Sequence, residues 1–161
     1  MWRTGDGSAL LKQIRTQMSK WLIIHADGFG LDEISTRTIL ALAKNDLISS
    51  TSIATNSVSS DQLETLCDMM ASGTGIHLNL VAGKAVGEPS HLLGLVDENG
   101  HFLGSRGMIR NFLGGKLKPV TIWEEVSAQI NRLSRAGINI SHADSRQHLH
   151  QVPVLAKGIL E

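Results

Sequence analysis

The chain has 161 residues, enough for one domain with a substantial core and too few for two domains of ordinary size. Hydrophobic residues make up 42% of it and charged residues 19%, a balance typical of globular proteins and not of disordered or fibrous ones. Fifteen basic side chains balance fifteen acidic ones, so no net charge favours nucleic acid or a membrane surface, and no apolar run reaches the roughly 20 residues of a membrane span.

The lone cysteine and the first residues of the chain bear on where the protein works. Cys67 cannot form an internal disulfide, and its apolar neighbours predict a reduced, buried thiol. Residues 1–20 carry several basic groups but lack the apolar segment and cleavage site of a secretory signal. We therefore expect a cytoplasmic protein in which residues 1–20 are an N-terminal extension and residues 21–161 form the domain.

The first half of the chain predicts two units in which a strand is followed by a helix. Residues 21–26 form an apolar run that predicts a buried strand, stopped by a glycine turn at Asp27-Gly28, and a helical pattern follows over residues 31–44. Residues 48–56 are rich in β-branched side chains and predict a second strand, and residues 61–71 repeat the helical pattern. The first turn should present Asp27 at the carboxyl end of its strand.

The middle of the chain predicts a third strand and a long excursion. Residues 74–81 alternate so that His77 lies on one face of a strand while Ile76 and the leucines lie on the other. Residues 82–119 are rich in glycine and predict a long loop with one short helix near residues 108–112. Excursions of this kind often shape a binding site.

The last elements complete an alternating pattern. Residues 122–135 predict an amphipathic helix that ends at Gly137, residues 138–141 a fourth strand, and residues 153–160 the start of a fourth helix. Strands that alternate with helices indicate parallel β-α-β units, in either a barrel or an open doubly wound sheet. Four units cannot close a barrel of eight strands.

Histidines and an aspartate cluster directly after the fourth predicted strand. The segment His142-Ala-Asp-Ser-Arg-Gln-His-Leu-His150 holds three of the seven histidines of the chain. Neutral imidazole and carboxylate bind zinc and related divalent ions, and catalytic groups of β-α folds collect at strand ends. The segment predicts a metal or catalytic site, against the alternative of a solvated polar loop.

The remaining polar candidates each have a simpler structural interpretation. His77 taken alone is more often a hydrogen-bonded core histidine, and Asp27 could merely cap the next helix or brace its turn. His25 should point to the same side of the first strand as Asp27. His91 and His101 lie in the excursion, where solvated side chains are expected. No dinucleotide or P-loop fingerprint is present.

Three separated segments together resemble the YdjC-like carbohydrate deacetylases, which include the chitooligosaccharide deacetylases. His25-Ala-Asp-Gly-Phe-Gly30 resembles the family's Asn-Ala-Asp-Asp-Phe-Gly opening, and Gly75-Ile-His-Leu-Asn-Leu80 resembles its Gly-Leu-His-Leu-Asn-Leu strand. The segment over residues 142–150 resembles its His-x-Asp-Ser-His-Gln-His-x-His pattern. Order and spacing agree across residues 21–161. The resemblance implies a divergent (β/α) barrel, here with about four β-α units and without the C-terminal part of the barrel.

The resemblance also implies a reaction and its residues. Family members are hydrolases that remove the acetyl group from N-acetylated sugars or oligosaccharides, using a divalent ion, magnesium or zinc, and a carboxylate base. By position, Asp27 would be the catalytic base, and His77 and His142 the metal-binding histidines. The family's third protein ligand is the second aspartate of its Asp-Asp pair, and Gly28 takes that place in this chain.

Two departures from the family pattern leave an alternative open. Gly28 removes one of three protein ligands, which weakens the hold on an ion. Arg146 stands where the family usually has histidine, and its cation could repel a metal or pair with Asp27 or Asp144. The alternative is a catalytically inactive relative that binds carbohydrate or a protein partner through the same cleft. Exposed edges of an incomplete barrel would favour a homodimer.

Overall fold

The computed structural model describes residues 22–70 and 73–151 together with residue 156. The predicted extension over residues 1–20 lies outside this part of the chain, and so does nearly all of the helix predicted from residue 153. Within the described residues, no helix has the length and apolar character needed to cross a membrane.

Four parallel strands form a single sheet. They are β1 (His25–Phe29), β2 (Ser50–Ile53), β3 (Thr74–Leu78) and β4 (Ala143–Ser145), and they lie in the order β1-β2-β3-β4. A doubly wound sheet reverses its strand order at a switch point, whereas the wall of a barrel adds each strand beside the previous one. The sequential order therefore confirms an α/β, barrel-like fold of about four β-α units.

Within residues 22–70 and 73–151, four α-helices connect or follow the strands. They are α1 (Glu33–Lys44), α2 (Ser60–Met69), α3 (Gly104–Leu113) and α4 (Pro119–Arg135), with short 3₁₀ segments at Pro89–His91 and Arg146–Gln151. The Asp32 side chain caps α1 by accepting the Ser35 N–H at 2.7 Å. Ser59 and Gln62 form a reciprocal capping box at the start of α2. All four predicted helices within the described residues are present, each within a few residues of its predicted bounds.

The first strand differs from its prediction. The apolar side chains before it are exposed, with Leu22 at 75%, and the strand begins at His25 and continues through the expected turn to Phe29, which is fully buried. Ala26 pairs with Thr51 but Phe29 pairs with Ile53, so β1 holds one extra residue in a bulge. Gly28, at φ +82°, supplies the left-handed conformation that this bulge requires.

The fourth strand also lies later in the chain than predicted. Ile138 belongs to the buried core at the end of α4, while the strand itself spans Ala143–Ser145. Backbone hydrogen bonds begin just before it, since the Ile76 N–H donates to the His142 carbonyl at 3.0 Å. His142 therefore precedes β4 and does not follow it, because pairing with β3 outweighs the short apolar run.

The helices cover one face of the sheet. The core there includes Phe29, Ile53 and Ile76 from the strands and Leu66, Ile122 and Leu133 from the helices, all almost fully buried. One predicted buried position differs, because Cys67 is a free thiol that is only half-buried. The opposite face of the sheet is left for polar side chains.

A buried polar network attaches the excursion after β3 to α4. Glu125 is fully buried and accepts the N–H groups of Val86 at 3.1 Å and Gly87 at 2.8 Å. Gln129 donates to Glu125 at 2.7 Å and exchanges hydrogen bonds with both backbone groups of Asn79. The network satisfies backbone groups that the departing chain would otherwise leave unpaired in the interior.

Candidate functional site

Alternate residues of the four strands form one polar face. Successive side chains of a strand point to opposite sides, and the register aligns His25 with Ser50, Ser52 with Gly75, and His77 with Asp144. A cavity of about 710 Å³ opens on this face, and His25, Ser50, His142 and Asp144 contribute to its lining. Of the side chains that the sequence marked as candidates, His25, His142 and Asp144 therefore line one cavity.

His25 joins the two outer strands of the sheet. Its Nε2 lies 2.8 Å from Asp27 Oδ1 and 3.3 Å from Asp144 Oδ2, although 119 residues separate it from Asp144. Ionised carboxylates only accept, so Nε2 carries the proton, and the Ser50 hydroxyl donates to Nδ1 at 2.8 Å. The approach of β1 to β4 across this face shows that the sheet curves as a barrel wall does.

His77 and Asp144 form the most buried pair of the face. The His77 Nδ1–H donates to Asp144 Oδ1 at 2.6 Å, and His77 is 9% exposed. Partial burial raises the pKa of Asp144, but hydrogen bonds from His77, Ser52 and His25, together with the electrostatic effect of His77, outweigh it and lower the pKa to about 2. Asp144 is therefore an anion at neutral pH, and its hydrogen bond with His77 uses Nδ1 and not Nε2.

His142 lies against the sheet beside His25. The two rings are edge to face with centroids 4.9 Å apart. Its Nδ1 is 2.8 Å from Ser141 Oγ and its Nε2 is 3.4 Å from Ser50 Oγ. A Cβ at position 75 would overlap the ring, so glycine is required there for His142 to occupy this position.

Asp27 stands at the bulge of β1 with much of its carboxylate in solvent. Its side chain is 64% exposed, and its Oδ1 lies 2.8 Å from His25 Nε2. A Cβ on Gly28 would meet Leu31 at ordinary contact distance, so space exists for a side chain, although the positive φ disfavours one. No carboxylate is available at position 28.

One set of three donor atoms on the polar face has the spacing of a metal site. Within the described residues, His25, Asp27 and Asp144 are the group of three whose ligand atoms all lie within 4.8 Å of one another. Bonds of about 2.0–2.1 Å in a tetrahedral zinc site place ligand atoms about 3.3 Å apart. His25 Nε2 lies 3.3 Å from Asp144 Oδ2 and 2.8 Å from Asp27 Oδ1. This part of the face fits a divalent ion by donor chemistry and by distance.

The three residues predicted from the resemblance are only partly brought together. Asp27, His77 and His142 share the polar face, but they do not meet this spacing as a trio. His25 and Asp144 link them, and the sequence offered only weak signals for that role: the parity of His25 with Asp27 and the place of Asp144 in the histidine-rich segment.

The remaining candidates lie away from this group. Arg146 forms no ion pair with Asp27 or Asp144 within the part of the chain that is described. His150 bonds to Ser145 Oγ at 2.7 Å and faces the His148 ring. His91 and His101 are exposed in the excursion, as expected.

The low pKa of Asp144 predicts how stability depends on pH. The folded-state pKa of about 2 lies below the roughly 3.9 of an unfolded aspartate, so the ionised carboxylate stabilises the fold above about pH 4. That contribution disappears as the pH falls toward 2. In chelator-treated protein, the urea midpoint of the wild type should fall further between about pH 5 and 2.5 than that of Asp144→Asn. Equal losses in both proteins would contradict the assigned direction.

Comparisons with known proteins show which family the chain resembles. A family model described as YdjC-like protein matches residues 21–161. The chain is similar to a carbohydrate deacetylase of Thermoanaerobacter pseudethanolicus, with 34% identity over 132 residues, covering 80% of this chain and 51% of that protein. It is also similar to a mouse carbohydrate deacetylase, with 28% identity over 142 residues, covering 87% of this chain and 46% of that protein.

A solved structure matches the fold as well. An Enterococcus faecalis protein, provisionally named a cellobiose-phosphate cleavage protein, superposes with a TM-score of 0.73 and 26% identity, covering 89% of this chain and 55% of that one. The chain spans about half the length of the curated relatives it matches. Because the family model covers most of the sequence and the strands assemble as a barrel wall with a polar inner face, the chain belongs to the YdjC-like protein family.

Proposed function

We propose that the chain is part of a metal-dependent hydrolase that removes the acetyl group from N-acetylated sugars or oligosaccharides, a reaction of carbohydrate metabolism. The observation that carries this proposal is the gathering of imidazoles and carboxylates on one concave polar face. Three strands contribute His25, Asp27, His77 and Asp144 to it. The names of the curated relatives, carbohydrate deacetylase, support the same reaction class.

We assign divalent-ion binding to the polar face. By position in the family pattern, His77 and His142 are the histidines that would bind the ion. Support for His77 comes from Asp144, which holds its Nδ1 and leaves Nε2 free, an arrangement common behind metal-binding histidines. Support for His142 comes from its place beside His25 on the same face. When bound, a divalent ion would polarise the amide carbonyl and lower the pKa of a water molecule.

Asp27 is assigned the role of catalytic base. Its Oδ1 lies 2.8 Å from His25 Nε2, its Oδ2 has no partner within the described residues, and 64% of the side chain is exposed. The carboxylate would take a proton from water as the water oxygen attacks the acetyl carbon. The C–N bond then breaks, the proton passes to the leaving nitrogen, and acetate and a free amine result.

A second candidate function is a catalytically inactive relative that binds carbohydrate or a protein partner. Two observations favour it. Gly28 offers no carboxylate, and both ring nitrogens of His142 already face serine hydroxyls. Such a protein would bind sugar equally well with and without a chelator.

Acetate release from N-acetylglucosamine oligomers tests the two functions. Deacetylation predicts acetate release with added zinc or magnesium, loss of that release in a chelator, and strong loss in His77→Ala. The exposed His91→Ala serves as the matched control. Sugar binding that is unchanged by the chelator, together with no acetate release at saturating metal, would instead establish the catalytically inactive relative.

A further inference from the structure

We propose that His25 completes a divalent-cation site whose protein ligands are His25 Nε2, Asp27 Oδ1 and Asp144 Oδ2. The inference rests on the proposed function only in that both require a divalent ion, and it does not require that acetate be released. This ligand set differs from the pair His77 and His142 named above, and in it His25 takes the place of the carboxylate that Gly28 lacks. The site draws on both outer strands of the sheet.

The distances place the three donors around one point. Nε2 of His25 is 2.8 Å from one carboxylate oxygen and 3.3 Å from the other, and the three ligand atoms lie within 4.8 Å of each other. Without an ion, His25 Nε2 lies near both carboxylates and is hydrogen-bonded to that of Asp144. A divalent cation at that point would offset both negative charges, which one imidazole proton does only in part.

The surroundings of His25 suit a metal ligand. Binding through Nε2 requires the ring proton to be on Nδ1, and Ser50 Oγ, 2.8 Å away, can then accept that proton instead of donating. A hydrogen-bond acceptor behind the second nitrogen is the usual arrangement for histidines that bind metals, and the Ser50 hydroxyl can fill that role here. His142 packs edge-on against the same ring and helps to fix its plane.

Each of the two carboxylates, Asp144 and Asp27, needs only one oxygen for the cation. Asp144 Oδ1 is bonded to His77, so Oδ2 is the oxygen that faces His25. Asp27 contributes Oδ1 and keeps Oδ2, which has no partner within the described residues. The same carboxylate can therefore face the cation with one oxygen and receive a proton with the other.

The position of His25 in the sequence supports the assignment. In the pattern that this chain resembles, asparagine stands at position 25 and aspartate at position 28. This chain has histidine and glycine at those positions. His25, the ligand gained, and Gly28, the position where a ligand is lost, both lie on β1.

Calorimetric titration of zinc into purified, chelator-stripped protein tests the site. The wild type should bind one equivalent, and His25→Ala should weaken the affinity about 100-fold or more, beyond the roughly 10- to 100-fold that loss of an outer partner produces. His25→Asn and Asp144→Asn should also weaken it, while His91→Ala should match the wild type. Circular dichroism of each metal-free variant establishes that it is folded.

The other outcomes separate this inference from the proposed function. Wild-type affinity in His25→Ala, with binding lost in His77→Ala and His142→Ala, would overturn the His25 site and leave metal-dependent deacetylation intact. Absence of zinc binding in the wild type would also overturn it. Acetate release, measured separately, decides the proposed function: zinc binding at His25 without acetate release would leave the site standing and reject the activity.

Discussion

Asp27→Asn is expected to slow acetate release by about 10²- to 10⁴-fold, the range that a positioned general base contributes. Asparagine keeps the shape of the side chain and can still accept a hydrogen bond from His25, but it cannot take a proton from water. Because Asp27 is largely exposed at the bulge of β1, the substitution should leave the free energy of unfolding almost unchanged. The measurement is the initial rate of acetate formation at saturating metal.

The control for Asp27 is a carboxylate outside the polar face. Asp68 is exposed on α2, and Asp68→Asn should retain the wild-type rate. Zinc affinity is measured on both variants, so that a lower rate at full metal occupancy can be assigned to the lost base. An unchanged rate in Asp27→Asn would remove Asp27 from the catalytic role.

Glu125→Ala should lower the free energy of unfolding by about 3 kcal/mol or more. The carboxylate accepts from Val86, Gly87 and Gln129 in a fully buried setting, and truncation leaves those donors without a partner. Each unsatisfied buried donor costs roughly 1–3 kcal/mol, and neighbouring losses are not simply additive. Urea unfolding provides the measurement, with the change read from the midpoint at constant slope.

Two variants sharpen the test of the Glu125 network. Glu125→Gln keeps one acceptor oxygen and should lose roughly half as much stability as the alanine variant. Glu64→Ala removes an exposed carboxylate on α2 and should change stability by no more than about 0.5 kcal/mol. If Glu125→Ala were as mild as Glu64→Ala, the network would not be what attaches the excursion to α4.

Much of the fold could be predicted because it depends on local patterns. Hydrophobic periodicity and end signals such as Asp32 and Ser59 mark the helices, since a helix satisfies its own backbone and is capped by adjacent residues. The position of β4 could not be predicted in this way. A three-residue strand has little pattern of its own, and its register follows from hydrogen bonds to β3, about 70 residues earlier in the chain.

The candidate site, like the fold, could be predicted only in part. From sequence alone, strand parity placed His25 and Asp27 on one side of the first strand and His77 on the face opposite the leucines of the third, and motif resemblance indicated a divalent ion and a base. Only the tertiary structure decided which donors meet. The curvature of the sheet brings His25 on β1 to Asp144 on β4, and the bulge at Gly28 sets the position of Asp27. The curvature and the bulge both depend on contacts between segments that are distant in the chain, and such contacts cannot be predicted from sequence spacing.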